Sequence, residues 1–227
     1  MLPENIFDLS ECSVTEINSR LHGLESAHLI QIINPLGRHN IACGINAPLD
    51  VHIQGHAGYF TAGMNMHASV TVHGNVGWSV AENMMSGVVR VEGFASECAG
   101  ASAHGGLLVI DGDTSSRCGI SLKGGDIVVG GSVGHMSAFM AQAGRIVVCG
   151  NAGEGLGDSL YEAVVYVRGS IAGLGADARE EPITEDDLKV IDSLLTSAGR
   201  DEDPESFVRI ASAKELYHWS PDSARYG

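Results

Sequence analysis

The chain has 227 residues, 30 of them Gly, with 5% aromatic residues and a formal net charge of -15. Such a charge disfavours nucleic acid and anionic membrane as partners by simple repulsion. The glycines follow no Gly-X-Y period and come with little Pro, so they point to obligatory turns rather than collagen or a disordered linker.

Residues 1–40 are expected to form an N-terminal helix and cap. Met1 to Ser10 carries acids where a signal peptide needs a basic and an apolar stretch, and no apolar run is long enough to span a bilayer, so a cytoplasmic chain is expected. Ser13 with Glu16 makes a capping box for a helix running to His22, and Gly23 suits its C-cap. Leu29 to Ile33 reads as a short apolar strand, stopped by Pro35.

Residues 41–177 carry a repeat. Gly55, Gly74, Gly93, Gly112, Gly131, Gly150 and Gly169 are spaced by 19 residues without exception. Two positions before each stand Ile53, Val72, Val91, Ile110, Val129, Val148 and Val167. Four positions before stand Val51, Val70, Val89, Leu108, Ile127, Ile146 and Val165. Alternating β-branched residues mean a strand with one buried face. Seven positions after each anchor the residue is small: Ala62, Ala81, Gly100, Gly119, Ala138, Gly157 and Ala176. A second small column, Ala68, Gly87, Gly106, Gly125, Gly144 and Ala163, lies thirteen positions after. One coil cannot bury its own apolar face, so the coils must stack. The predicted fold is all-β, a right-handed parallel β-helix of about seven 19-residue coils with short helical appendages. The N-terminal segment would cover the open edge of its first coil.

Residues 178–227 read as an acidic helix and a docking tail. Asp177 to Glu205 holds eleven acids and three bases, Thr184 with Asp187 can cap a helix, and Leu188, Ile191 and Leu195 line one of its faces. Phe207 to Gly227 is rich in Tyr, Trp and Arg, the composition of a segment that docks on something.

Motifs for chemistry are sparse. No Walker loop, Rossmann fingerprint or Gly-x-Ser-x-Gly elbow with a His partner is present. The five cysteines, Cys12, Cys43, Cys98, Cys118 and Cys149, are odd in number and show no CxxC spacing, so they read as reduced core residues. His52 and His56 are four apart, but across a bend rather than on a helix, which does not make a zinc pair. Glu92 and Asp111 precede anchors in adjacent coils, close enough for a glycosidase pair, although two outer-face polar residues is the simpler reading. Gly153-Glu154-Gly155-Leu156-Gly157 is a GxGxG run that also fits a coil corner.

The anchor column, the Gly-rich corners and this GxGxG run resemble the C-terminal β-helix domain of the glutamate synthase large subunit over about Ile41 to Asp177. Phe7-Asp8-Leu9, Glu16-Ile17-Asn18, Gly153 to Glu162 and Glu215-Leu216-Tyr217-His218 look most like the free-standing β-helix subunit of N-methylglutamate synthase, also called methylamine–glutamate N-methyltransferase. That resemblance implies a non-catalytic structural subunit of a flavoenzyme making N-methylglutamate and ammonia from methylamine and glutamate. It implies a glutamine-amidotransferase-like partner and an FMN and iron–sulfur synthase-like partner, with no catalytic, cofactor or metal residue in this chain. Two alternatives stay open: a scaffold for an ammonia-using glutamate synthase, and an independent carbohydrate-active β-helix enzyme.

One further expectation concerns contact. Residues three before the anchors point outward. They are His52, Thr71 and Arg90 in the early coils, then Val109, Val128, Val147 and Tyr166. An outward apolar stripe demands a cover. A neighbouring subunit is preferred over the helix carrying Leu188, Ile191 and Leu195 for that role.

Overall fold

A computed structural model of the chain describes residues 5–25 and 28–213. Their strands make an eleven-stranded sheet. In chain order these are β1 (Ile6–Asp8), β2 (Leu29–Ile33), β3 (Asp50–Gln54), β4 (Ser69–Val72), β5 (Val88–Val91), β6 (Leu107–Ile110), β7 (Lys123–Val129), β8 (Ala143–Val148), β9 (Val164–Val167), β10 (Ala178–Glu181) and β11 (Val208–Ser212). Helix α1 (Val14–His22) lies between β1 and β2, and α2 (Glu185–Ser197) between β10 and β11. Strands β1 to β9 pair in sequence order and in parallel, the signature of a right-handed parallel β-helix.

The two inward columns stack in register. Val51 pairs with Val70, Val89, Leu108, Ile127, Ile146 and Val165 in succession, and Ile53 heads the other ladder to Val167. None of these fourteen residues is more than 2% exposed. A second line of parallel bridges, Ala57 to Val76 to Ala95 to Thr114 and Val133 to Ala152 to Ile171, runs just past the glycine bend.

The anchor glycines are required by stacking. From Gly93 to Gly169 each donates its N–H to the carbonyl of the glycine one coil earlier: Gly93 to Gly74 at 3.0 Å, Gly112 to Gly93 at 2.9 Å, Gly150 to Gly131 at 2.8 Å. A Cβ on Gly150 would sit 2.6 Å from the carbonyl carbon and oxygen of Gly131, so no side chain fits the ladder.

The small column seven after the anchor has a different cause. Ala62, Ala81, Gly100, Gly119, Ala138 and Gly157 adopt positive φ, between 55° and 69°. Their Cβ positions face the coil interior; one on Gly100 would lie 2.6 Å from Ile127 Cδ1. The residues two before and two after are left-handed as well, including Phe60, Met64, Arg117, Met136 and Met140. Non-Gly residues there cost about 1–2 kcal/mol each. The backbone bonding offsets that: Phe60 N–H donates to Trp78 O (2.9 Å) and Met64 N–H to Glu82 O (2.7 Å) in the following coil, while Ala62 N–H reaches back to Ile41 O (2.9 Å). Alternating handedness lets one segment bond to both neighbours.

The sheet extends beyond the 19-residue frame at both ends. Ile30 and Ile32 of β2 pair with Val51 and Ile53, a step of 21 residues, so β2 is itself a rung of the helix and β1 lies beyond it. The longer coil contains Asn34, Leu36 and Gly37 at positive φ. Helix α1 closes this end, with Ile17 and Leu21 buried and the Ser13–Glu16 capping box formed. Its Asn18 acts as a surrogate peptide for the first turn segment: Nδ2 donates to Asn40 O (2.7 Å) and Oδ1 accepts from Ala42 N–H (3.0 Å). At the other end β11 pairs antiparallel with β9, and β10 with β11, which ends the parallel stack. The Glu215-Leu216-Tyr217-His218 motif and most of the expected docking tail lie outside the described residues.

Candidate functional site

The outward stripe is where the two cores of the molecule separate. Val109, Val128, Val147 and Tyr166 are no more than 2% exposed, and they form a cluster with Ile191, Leu195, Ala198 and Phe207 that is distinct from the coil interior. The cover is therefore the chain's own α2 and the segment after it. This corrects the preference for a neighbouring subunit. The physical reason is proximity: the tail leaves the last coil beside the stripe, and its capped helix presents Ile191 and Leu195 to it.

Polar contacts fix α2 in place. Tyr166 O–H donates to Asp187 Oδ1 (2.6 Å), Arg209 Nε donates to the same oxygen (3.3 Å), and Asp187 Oδ2 completes the capping box by accepting from Thr184. Burial opposes ionisation of Asp187, but hydrogen bonds from Thr184 and Tyr166 and the Arg209 charge hold its carboxyl below the usual range. At the helix C-terminus, Arg90 Nη1 donates to Ala198 O (2.9 Å) while the same guanidinium binds Asp111 through Nε and Nη2. Arg90 therefore does more than face water.

Asp126 lies at the edge of this contact, in a small cavity it shares with Arg145, Lys189, Val190, Ser193 and Leu194. Its Oδ1 is buried without a hydrogen-bond partner, and Arg145 Nη1 stands 3.5 Å away. Burial outweighs that arginine and raises the Asp126 carboxyl above its ordinary value.

The remaining candidates resolve into coil-to-coil stitching. Glu92 pairs with His73 (3.0 Å) and Asp111 with Arg90 (2.7 Å), so each of the two carboxylates is engaged with a base in the preceding coil. His52 joins His73 through Nδ1 and Nε2 at 2.9 Å and reaches Asp50 at 3.2 Å, giving a run of four side chains across three coils. His56 Nδ1 accepts from Asn75 N–H (3.0 Å), in a column continued by Asp113 accepting from Ser132 N–H (2.7 Å) and Asn151 accepting from Ser170 N–H (2.9 Å). Among the described residues no cluster of three or more His, Cys, Asp and Glu could hold a metal ion. The cysteines are unpaired, and burial pushes Cys118 up to about 12 and Cys43 up to about 11, so neither is a thiolate at neutral pH. In the GxGxG run, Leu156 fills the interior while Gly155 and Gly157 adopt φ of 74° and 69°. It is the turn segment of a late coil.

One surface escaped the sequence reading. On the turn side of the coils after β3 and β4, Tyr59, Phe60, Met64, Met66, Trp78 and Met85 are between 36% and 54% exposed. Rings of His39, Tyr59 and Trp78 stack in a column at 4.1 and 5.1 Å. The signal was available: Tyr59 and Trp78, like Met66 and Met85, are 19 apart, at positions that face outward.

No protein-family model matches the chain. It is 49% identical over 223 residues to Protein GlxC of Rhizobium meliloti (strain 1021), a match covering 96% of this chain and 98% of that protein.

Proposed function

Because the chain belongs to the family of Protein GlxC, we propose that it is the structural β-helix subunit of a glutamate-synthase-like multisubunit flavoenzyme. On this reading it serves N-methylglutamate synthase, which converts methylamine and L-glutamate to N-methyl-L-glutamate and ammonia. The glutamine-amidotransferase-like chain and the FMN and iron–sulfur chain are its partners, and they carry the cofactors. The observation that carries the reading is mechanical. Successive coils are hydrogen-bonded through the parallel strands and, from Gly74 to Gly169, through the glycine ladder, and segments of the chain itself close both ends. Outer-face side chains that could do chemistry are spent on cross-coil pairs, as Arg90–Asp111 and His73–Glu92 show. A stiff rod of this kind holds other chains at fixed separation, which is what an enzyme with parts on separate polypeptides needs.

The test is affinity purification of the tagged full-length chain from its native host. Retained proteins are identified and the assembly is assayed with glutamate and either methylamine or ammonia. The expected result is a flavin-containing assembly whose methylamine-dependent N-methylglutamate formation disappears when this chain is deleted. Ammonia-dependent glutamate formation alone would reassign the amine. A chain that purifies without partners, with methylamine turnover unaffected by its deletion, would refute the reading.

A further inference from the structure

Four outer-face side chains of the early coils form one row. Asp50 Oδ1 lies 3.2 Å from His52 Nε2, His52 Nδ1 lies 2.9 Å from His73 Nε2, and His73 Nδ1 lies 3.0 Å from Glu92 Oε2. The register of the sheet makes the row: His52 pairs with Thr71 across β3 and β4, and His73 follows Thr71 by two residues, on the same outward face. The ring centroids are 5.2 Å apart and the planes meet at 14°. At that nitrogen separation the rings must lie edge to edge in nearly one plane, so the two inner nitrogens aim at each other.

The row is one proton short. Each of its three contacts needs a proton, an ionised carboxylate brings none, and a neutral imidazole brings one N–H and one lone pair. Asp50 and Glu92 each take an N–H from the outer nitrogen of a ring. That fixes both tautomers and leaves the lone pairs of His52 Nδ1 and His73 Nε2 facing each other across a gap that calls for a cation. We propose that this gap is a binding site for a divalent transition-metal ion, with zinc as its representative, held by His52 Nδ1 and His73 Nε2.

Three features favour a metal over a proton there. Metal-bound histidines donate their other ring N–H to a carboxylate or a carbonyl, and both rings are backed by a carboxylate. Two carboxylates give the row two negative charges, which a divalent ion balances and a single proton does not. The two His side chains are 28% and 29% exposed, so water can complete the coordination shell. Two bonds of about 2.0–2.1 Å at a tetrahedral angle place the nitrogens roughly 3.3 Å apart. Turning both rings slightly towards solvent supplies that opening. Arg90, next after Thr71 in the outward column, is held by Asp111 and by Ala198 O, and so does not fill the gap. The pair is built once: the column of His52 continues as Thr71 and Arg90, and that of His73 as Glu92 and Asp111. The ion would belong to this chain, apart from the cofactors assigned to the partners.

The experiment uses the full-length chain stripped of metal with a chelator. Wild type is compared with His52→Gln, His73→Gln and Glu92→Gln, and with His56→Gln as the control from the neighbouring bend. Zinc affinity and stoichiometry are read by competition with a chromophoric chelator, melting temperature with and without zinc, and coordinated nitrogens by electron paramagnetic resonance of the copper-loaded chain. Wild type and His56→Gln should bind one zinc more than either His52→Gln or His73→Gln, and zinc should raise their melting temperature alone. Glu92→Gln should keep two nitrogens on copper and bind zinc about tenfold or more weakly. If a His variant melts early without metal, Glu92→Gln, which keeps both rings, decides by its affinity. Zinc binding unchanged in folded His52→Gln and His73→Gln overturns the proposal, and so does a wild-type chain that binds none. Nitrogen NMR that finds a proton shared between the two rings in excess zinc assigns the gap to a proton and also overturns it.

Discussion

Replacing Val128 with Lys separates the two cores of the molecule. Val128 is fully buried between β7 and α2, flanked along its column by Val109 and Val147. Removing its two methyl groups in Val128→Ala should cost about 2 kcal/mol, transfer and residual cavity together. Lysine adds an ammonium that has no partner at the centre of the stripe. Leaving a charge there costs several kcal/mol, although the long side chain can stretch towards Asp126, which lies two residues away on the same face. The alternative is for α2 to lift off. That exposes Ile191, Leu195 and Phe207 on one side and the valines on the other, at about 1.5–3 kcal/mol per side chain. Freed chain entropy of about 1–2 kcal/mol per residue offsets much of this loss. The variant takes whichever route costs less, and we expect about 4 kcal/mol by either. The interior core does not include Val128, so the coils should survive. Thermal melts would show an early loss of helical signal ahead of the sheet transition, and limited proteolysis would cut within residues 183–207. A Val128→Lys chain as stable as Val128→Ala, with that segment still protected, would refute the assignment of α2 as the cover.

Asn18→Ala removes both bonds to the first turn segment and leaves Ala42 N–H without its acceptor. It should cost about 1–3 kcal/mol in a denaturant melt, with faster amide exchange confined to the first coils. Gly150→Ala forces a Cβ against the Gly131 carbonyl. It should destabilise by about 3 kcal/mol or more, whereas Gly37→Ala, with open space but a φ of 69°, should cost only about 1 kcal/mol. Asp126→Asn tests the raised carboxyl. A carboxyl whose folded value lies above its unfolded 3.8 favours folding below that value and loses this contribution as pH rises through the folded value. The variant should therefore gain stability over wild type at neutral pH, and the gain should vanish in melts near pH 3. Asp187→Asn has the opposite sign: its lowered carboxyl stabilises the fold above 3.8, so the variant should be weaker at neutral pH, with the deficit shrinking as acid protonates the wild type.

The coil was legible because a buried position cannot drift. Val51 and its successors must be apolar in every coil, and Gly74 to Gly169 must lack a Cβ, so the 19-residue spacing is written in residue type. Other features leave no such mark. The 21-residue step from β2 to β3 breaks the period, so Leu29 to Ile33 read as a cap segment although it is a rung. Left-handed backbone at Phe60, Met64 and Met136 is invisible because those residue types do not favour it; bonding to both neighbouring coils imposes it. The small residues at Ala62 and Gly100 were legible as small, but their cause is an inward Cβ at positive φ rather than a corner. For the outward stripe, the need for a cover could be read from Val109, Val128 and Val147. Which segment supplies it depends on where the chain leaves the last coil, and no periodicity encodes that.

A repeat fold also changes what an unusual residue means. In an irregular domain an exposed Trp has no reference against which to judge it. Here Trp78 has equivalents at Glu97, Ser116 and His135, which satisfy the same backbone with polar side chains. The outward valines have equivalents too, at His52 and Thr71, and they depart from them only where α2 lies above. Both departures are local and both are apolar, one in the early coils and the other from Val109 onward. Intramolecular packing accounts for one of them. The other, around Tyr59 and Met85, lies in the early coils, on the stretch with the least charge, and is exposed among the described residues.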